Sequence, residues 1–432
     1  MGSAARAEIM PFVNLTCIRT NKFKTGCMSV NLLTKLDRST ASQNALIPHV
    51  LRRGTAAHPD MEAIAKALDE LYGARIEPIV RKRGEVQSIG FYADFADDDF
   101  LPDGESVLER TCELMGEILL SPKTRGGRLV AEYVDSERTN LIDDIRSDIN
   151  DKRHYAMTRL IETMCSKEAY GTPRLGTEAT AKKITAAGLT KRYRELLESS
   201  AVEIIYCGSA DEKRVSLAVK RAFAGLPRGE IARDIGTEVL MDRAGEKVRI
   251  VTERLDVTQG KLAIGFRLGE IMAAPNYAAI AVFNAIYGAS ATSKLFMNVR
   301  ERLSLCYYAA SAADRHKGIL TVSSGIEFSD YEKAIAEIFA QLDAMKNGEI
   351  EEWEIDSARR AVVSAYTSVM DHQLTAEGYF FDQTVTDMKC MPDDMAALAS
   401  LVTVEDVKKV AAGIKLDTVY FLAGNKEGND EK

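Results

Sequence analysis

Hydrophobic and polar residues follow two different periods along this chain. Segments such as "PFVNLTCIRT" and "TGCMSVNLLTKLD", near the amino terminus, alternate in part with a period of two and predict β-strands joined by a polar turn. Apolar positions three and four residues apart, as in "HPDMEAIAKALDELYGA" and in the segment from about 103 to 120, predict amphipathic helices. The two patterns occur in clusters, which favours an antiparallel or mixed sheet with helices on one side.

The order of these patterns repeats once. The first half gives strands, helices, strands, long helices and then the strand "AVEIIYCG", and a polar passage separates it from the same order beginning at "VRIVTE". The tripeptide Tyr-Gly-Ala at 72–74 recurs at 287–289. The second half also contains the hairpin "CYYAASAADRHKGILTVSSGIEF", with its turn at "HKG". A duplicated domain explains the repeated order better than chance does.

We therefore predict an α+β protein of two homologous domains, each a mostly antiparallel sheet with helices packed on one side. The predicted bounds are 1–225 for the amino-terminal domain, 226–244 for a linker and 245–432 for the carboxy-terminal domain. The length of 432 residues agrees with two domains.

Composition and charge exclude several classes of function. A net charge of −8 argues against a nucleic-acid partner, since such proteins generally present a basic face. The apolar runs are shorter than the roughly 20 residues of a membrane helix, so no membrane association is predicted. Seven scattered cysteines without a C-x-x-C spacing indicate neither a disulfide framework nor a thiolate zinc site, and favour a reducing cytoplasm. The leading "MGSAARAEI" shows no secretion signal and is compatible with an expression scar.

The stretch "NALIPHVLRRGT" contains the first candidate site. A helix that holds zinc for hydrolysis needs ligands one turn apart and a carboxylate to activate the bound water. This stretch resembles the zinc helix of the pitrilysin or insulinase family of zinc metallopeptidases, H-x-x-E-H followed by an apolar stretch and Lys/Arg-Gly-Thr. Aligned on "RGT", the chain has Ala45 at the first His, Pro48 at the Glu that acts as base, and His49 at the second His.

The third zinc ligand of that family is a Glu on a later helix, and here "ERTNLIDDI" offers the shorter Asp144. A lone His with one short carboxylate gives at most two ligands. The resemblance therefore implies that this chain binds no metal, has no catalytic residue when alone, and needs zinc in a partner. The remaining histidines show no paired ligand spacing; they are His58, His154, His316 and His372.

The second candidate site lies in "LFMNVRERLSLCYYAAS", which resembles the carboxy-terminal signature of the same family. There an Arg and a Tyr seven residues later reach the zinc-bound substrate, and these positions are Arg300 and Tyr307 here. A guanidinium and a phenol O–H suit this role, because both can stabilise the negative carbonyl oxygen that forms during peptide hydrolysis. From the sequence alone, the neighbouring Tyr308 remains an alternative to Tyr307.

The resemblance covers nearly the whole chain and includes "YGTPRLGT" at 170–177. The family contains two-chain bacterial proteases in which one subunit carries the zinc motif and the other the Arg/Tyr pair. The resemblance implies that this chain is a non-catalytic, cytoplasmic subunit that pairs with a zinc-bearing paralogue to cleave short or unstructured peptides.

Two alternatives stay open at this point. The first is that the chain is a purely structural homologue with no part in hydrolysis. The second is that it is a self-sufficient peptidase and that the alignment on "RGT" misplaces its metal site. No G-x-S-x-G elbow and no recognisable cysteine-nucleophile motif supports a different hydrolase.

Overall fold

A computed structural model describes residues 3–102, 104–233, 235–240, 247–268, 274–386 and 388–425. The strands, in chain order, are β1 (Ser3–Met10), β2 (Val13–Arg19), β3 (Thr25–Lys35), β4 (Arg75–Arg83), β5 (Val86–Ala96), β6 (Thr124–Arg125), β7 (Arg128–Leu129), β8 (Ala201–Gly208), β9 (Arg249–Leu255), β10 (Gly260–Arg267), β11 (Cys306–Asp314), β12 (Ile319–Ile326) and β13 (Lys415–Gly424).

The observed helices include the amphipathic helices that the sequence predicts. The α-helices are α1 (Ala41–Leu51), α2 (Met61–Asp69), α3 (Val107–Leu120), α4 (Ala131–Ser147), α5 (Lys152–Met164), α6 (Glu178–Ala181), α7 (Ala186–Ser199), α8 (Glu212–Ala222), α9 (Ala274–Asn284), α10 (Tyr331–Asn347), α11 (Glu352–Thr367), α12 (Gln373–Thr386), α13 (Pro392–Ser400) and α14 (Val404–Gly413). Two further segments, Ala285–Ala289 and Leu295–Arg302, are π-helical.

The chain forms two compact units that are not contiguous in sequence. The first unit comprises Met1–Arg146, Thr172–Gly236 and Val369–Asp387, and the second comprises Ser147–Gly171, Thr237–Ser368 and Met388–Lys432. The linker predicted at 226–244 lies partly outside the described residues. The domain bounds drawn from the sequence stay a prediction.

Each unit is built on its own sheet, and the two sheets share one strand order. The first runs β1-β2-β8-β3-β5-β4 and the second β9-β13-β10-β12-β11. When β1 is left aside, the strands of each unit can be numbered one to five along the chain. Both sheets then have the same spatial order, which is one, five, two, four, three. The first and last strands are parallel in both sheets, and the other neighbours are antiparallel. The prediction of a duplicated, mostly antiparallel α+β fold is confirmed.

The repeated Tyr-Gly-Ala tripeptide does not mark equivalent positions in this duplication. The first copy follows α2, whereas the second lies in the π-helical segment that directly follows α9. In strand order, α9 is the equivalent of α1, because each is the first helix after the second strand of its unit. The tripeptide match is therefore a coincidence, and the sheet topology carries the argument for duplication.

The first sheet separates an apolar face from a polar one. Val30 and Leu32 of β3 belong to the large core beneath helices such as α1 and α3. Their neighbours Ser29 and Asn31 are equally buried but point to the opposite face, since successive strand residues alternate. Helix α12 covers that face, where Ser29 and the two terminal guanidinium nitrogens of Arg81 donate to the carboxylate of Glu377.

Helices α5 and α12 exchange places between the two units. Helix α5 lies between elements of the first unit along the chain, yet it packs on β10 and β13. Helix α12 lies between elements of the second unit along the chain, yet it packs on β8 and β3. Each sheet thus has its own helices on one face and one exchanged helix on the other. No helix within the described residues has the length and apolar character that crossing a membrane requires.

Candidate functional site

Helix α1 carries the altered zinc motif, and a buried polar network holds it in place. The side-chain Nδ2 of Asn44 donates to the side-chain oxygen of Gln87 of β5 over 2.8 Å, and Arg192 of α7 donates to the side-chain Oδ1 of Asn44 over 2.8 Å. Gln87 also donates to the carbonyl oxygen of Ala41 over 3.1 Å. These bonds fix the helix through groups that are not zinc ligands, so its position does not require a metal.

The two substituted ligand positions are apolar and buried. Ala45 is 0% exposed, and Pro48 is also buried inside the helix. Proline lacks the N–H that would bond the carbonyl of Asn44. The helix nevertheless continues to Leu51, and the carbonyl oxygen of Pro48 accepts from the Arg52 N–H over 3.1 Å.

His49 is half-buried and faces the charges of α4. Burial lowers its pKa, and this effect exceeds the opposing influence of the Glu137 and Asp144 carboxylates. Glu137 is itself engaged by the Arg53 guanidinium over 3.0 Å, and that guanidinium lies 5.3 Å from the Tyr133 ring centroid. The structure thus places His49 and Asp144 in one neighbourhood.

These residues do not fit a zinc ion. Ala45 and Pro48 have no donor atoms, and Glu137 is committed to a guanidinium. In the part of the chain that the structure describes, no group of at least three His, Cys, Asp or Glu side chains is arranged to hold a metal. No step of hydrolysis is therefore assigned to residues of this helix.

The lowered pKa of His49 predicts a specific dependence of stability on pH. As the pH decreases below the usual value of 6.5, His49 takes up a proton in the unfolded chain before it does so in the folded chain. The free energy of unfolding therefore decreases as the pH decreases. Replacing His49 with Gln should remove this contribution and make the acid side of the profile shallower. Urea unfolding at several pH values between 5 and 7 measures it, and an unchanged slope in His49→Gln would contradict the prediction.

A strained turn leads from the second candidate residue, Arg300, into β11. The π-helical segment Leu295–Arg302 ends in backbone bonds from Leu303 to Asn298 over 3.1 Å and from Leu305 to Val299 over 3.0 Å. Between them Ser304 has a φ of +50°, which is uncommon for a residue other than glycine. Such strain is typical of functional loops.

Tyr307 is the extra residue of a β-bulge. Cys306 pairs with Ile326, but the next paired residue of β11 is Tyr308, which lies opposite Gly325. A bulge turns a side chain away from its normal alternation, and bulges are common beside active sites. The Tyr307 side chain is accordingly directed outward and is 64% exposed.

Arg300 and Tyr307 line the same open pocket, which has a volume of about 450 Å³. The Arg300 guanidinium lies 4.7 Å from the centroid of the Phe296 ring, and its Nε is 3.5 Å from the Glu301 carboxylate. A hydrogen bond to the Glu327 carboxylate, together with its negative charge, raises the pKa of the Tyr307 phenol above its usual value. The complete lining is Arg300, Glu301, Ser304, Leu305, Cys306, Tyr307 and Glu327.

Tyr308 has a different environment from Tyr307. Its ring centroid lies 4.3 Å from the Arg153 guanidinium and 5.8 Å from the Lys261 ammonium. Burial raises the pKa of its phenol. Tyr307, and not Tyr308, is therefore the tyrosine that shares the pocket with Arg300.

Sequence reasoning missed the acidic wall of this pocket. Glu327 directly follows β12, and the pairing of Cys306 with Ile326 places it beside Tyr307. The predicted hairpin contained the necessary signal, because its antiparallel register places the residue after Ile326 at the Cys306 end of β11, beside the bulge. Cys306, which is buried and has a raised pKa because of that burial, closes the inner side.

Comparison with known proteins supports the family that the motifs suggest. A model of the peptidase M16 inactive domain matches residues 183–362. The chain is 33% identical over 411 residues to the probable inactive metalloprotease YmfF of Bacillus subtilis strain 168, covering 95% of each.

Solved structures share the fold over the full length. The crystal structure of a conserved protein from Enterococcus faecalis V583 gives a TM-score of 0.89 at 27% identity, covering 99% of this chain and 100% of that one. The peptidase M16 inactive domain from Pseudomonas fluorescens gives 0.79 at 16% identity, covering 100% of each. Together with the relationship to the Bacillus protein, these findings confirm the family predicted from the zinc-helix and Arg/Tyr motifs. The chain belongs to the peptidase M16 family.

Proposed function

We propose that this chain is the non-catalytic subunit of a heterodimeric zinc metallopeptidase that cleaves short or unstructured peptides. One observation carries the proposal: the Arg300 and Tyr307 side chains share an open pocket, although the zinc helix of the same chain has lost its donors. A chain that had only decayed into a scaffold would have no reason to keep a guanidinium and a phenol together on a bulged strand.

The pocket supplies hydrogen-bond donors for the reacting peptide carbonyl, which the ligands of a catalytic metal do not provide. As water attacks a peptide carbonyl, negative charge develops on the oxygen. The Tyr307 O–H and the Arg300 N–H groups can donate hydrogen bonds to that oxygen or to the adjoining peptide groups. A donor that acts only in the transition state contributes about 3 kcal/mol, so two such groups are a substantial share of the catalysis.

The division of labour follows from what the chain lacks. A paralogous partner with an intact H-x-x-E-H would supply the zinc, its ligands and the general base. All seven cysteines are free thiols, and six of them are buried, which supports a reducing compartment such as the cytoplasm.

Mixing the separately purified subunits tests the proposal. The full chain and a paralogue from the same genome that retains H-x-x-E-H are assayed on a quenched, unstructured peptide, each alone and together. We expect cleavage only in the mixture, together with a stable complex on size-exclusion chromatography. Zinc analysis of each subunit should find the metal in the paralogue.

Two results would contradict this assignment. Cleavage by this chain alone, with stoichiometric zinc bound, would show that it is a self-sufficient peptidase. Full activity of the paralogue alone would leave this chain without a catalytic contribution and would favour the scaffold alternative.

A further inference from the structure

The first sheet ends on β4, which runs beside the altered zinc helix. An edge strand presents unpaired N–H and C=O groups and can pair with another extended segment. Strand β4 is nine residues long and carries no bulge against β5, so its geometry would suit such pairing.

The outward-facing residues of β4 can be identified from their hydrogen bonds. The Ile76 carbonyl oxygen accepts from Arg52 Nε over 2.7 Å, and the Val80 carbonyl oxygen accepts from Arg174 over 3.1 Å. Both donors lie outside the sheet, so both carbonyls point away from β5. Because backbone groups alternate between the two sides of a strand, Pro78 and Lys82 also face outward.

Each of these four positions is obstructed. Ile76 and Val80 have their carbonyl oxygens occupied by guanidinium groups, and the Lys82 carbonyl accepts from the side chain of Arg83 over 3.1 Å. Pro78 has no N–H to offer to an incoming strand. A further strand would have to displace three hydrogen bonds and would still meet a position that cannot donate.

The segment 172–176, which carries Arg174, is held in place at both ends by neighbouring residues. The Lys82 ammonium donates to the Thr172 carbonyl over 3.0 Å, and Gln87 donates to the Arg174 carbonyl over 2.8 Å. At its far end, Gly176 packs so closely on Ser42 of α1 that a Cβ there would lie 2.0 Å from the serine hydroxyl. The guanidinium of Arg174 is thus held over the strand by a fixed backbone.

We propose that Arg52, Pro78 and Arg174 close the β4 edge, so that this chain does not bind an extended peptide there by strand addition. Main-chain recognition of a substrate peptide would then fall to the partner, and this chain would contribute through the pocket of Arg300 and Tyr307. The closed edge is a property of the isolated chain and does not depend on the proposed peptidase function.

The test uses the full-length chain and a soluble, fluorescent peptide of alternating Thr and Val residues flanked by lysines. Fluorescence anisotropy measures binding, and hydrogen exchange measures protection of the Arg75–Arg83 amides. The wild type should neither bind the peptide nor gain protection in β4. The variant Arg52→Met/Pro78→Val/Arg174→Met should bind at least about tenfold more tightly than the wild type and gain protection there, because the Ile76 and Val80 carbonyl oxygens and an N–H at position 78 become available.

Arg138→Met is the matched control, since Arg138 also donates to a backbone carbonyl, that of Ile184 over 2.8 Å, but away from β4. It should behave like the wild type. Peptide-dependent protection of β4 in the wild type would overturn the proposal. A folded triple variant that does not bind would show that these three residues are not what closes the edge. Should the triple variant fail to fold, the wild-type measurement still decides, and Pro78→Val alone should bind more weakly than the triple but more tightly than the wild type.

Discussion

Replacing Tyr307 with Phe is expected to lower kcat of the reconstituted two-chain peptidase by about 100-fold or more, and Arg300→Ala is expected to do the same. Tyr307→Phe removes a single O–H and leaves the ring, so the loss reports on hydrogen bonding to the reacting carbonyl. Because this donor acts mainly when charge has developed on the oxygen, kcat should fall more than KM rises. In the proposed complex the Arg300 charge would also contact the bound peptide, so Arg300→Ala should raise KM as well.

Two neighbouring residues provide matched controls. Tyr308→Phe changes the next phenol along β11, which lies against Arg153 and outside the pocket. Arg302→Ala removes an exposed guanidinium from the same π-helical segment without touching the pocket lining. Both should retain activity within about threefold of the wild type. Assembly with the paralogue, followed by size-exclusion chromatography, should be unchanged in all four variants.

The opposite pattern would favour the scaffold alternative. If mixtures containing Arg300→Ala or Tyr307→Phe cleave as fast as the wild-type mixture, the pocket has no role in hydrolysis. If instead activity falls only in proportion to weaker assembly, these residues stabilise the interface between subunits and do not act on the substrate.

Local sequence patterns predict the individual strands and helices of this fold better than they predict which strands lie side by side in the sheet. The hairpin of β11 and β12 was predicted correctly, because alternation and a short turn at "HKG" are both local signals. The pattern joined β2 and β3 by a turn, but β8 lies between them in the sheet. Strand β1 was missed altogether, since "SAARAEIM" has no apolar alternation and becomes a strand through its pairing with β2.

The exchanged helices show a second limit of sequence reasoning. The amphipathic pattern of α5 and of α12 indicates that each buries a face, but it contains no information about which sheet receives that face. Their destinations depend on residues far away in sequence, such as the pairing of Arg81 with Glu377 under α12.

Motif spacing indicates which residues belong to the candidate site, but it does not predict how their side chains are arranged. The spacing selects Arg300 and Tyr307 as candidates, but which of Tyr307 and Tyr308 lines the pocket of Arg300 depends on a bulge that only the strand register shows. The "YGTPRLGT" stretch belongs to the family resemblance, but the sequence alone gives no physical reason for it. The structure supplies one for Arg174, whose guanidinium bonds the edge of β4.

Replacing Arg267 with Met is expected to lower the free energy of unfolding by about 3–5 kcal/mol, the second large effect. Arg267 is 1% exposed, and its guanidinium bonds the Asp417 carboxylate over 2.9 Å and the Glu168 carboxylate over 2.6 Å. Methionine fills much of the volume, so the loss would come mainly from two buried carboxylates left with fewer partners. Lys317 still contacts Glu168 over 2.8 Å and limits the damage at that group.

Urea unfolding measures this loss, and two further variants show its origin. Asp417→Asn in the Arg267→Met background should recover part of the stability, because it removes a buried charge that has lost its partner. Arg146→Met, which breaks the ion pair with Glu178 on the surface, should cost less than about 1 kcal/mol. A change of similar size in Arg146→Met and Arg267→Met would contradict the assignment.

Acid titration separates lost ion pairing from lost packing at this cluster. Although burial opposes ionisation of Glu168, Arg267 and Lys317 together lower its pKa below the usual 4.5. This contribution to stability is fully present above the unfolded value and is lost as the pH falls through the lower folded value. Arg267→Met removes part of that coupling, so its stability should fall less steeply below pH 4.5 than that of the wild type. A parallel pair of profiles would show instead that Arg267 stabilises the fold through packing alone.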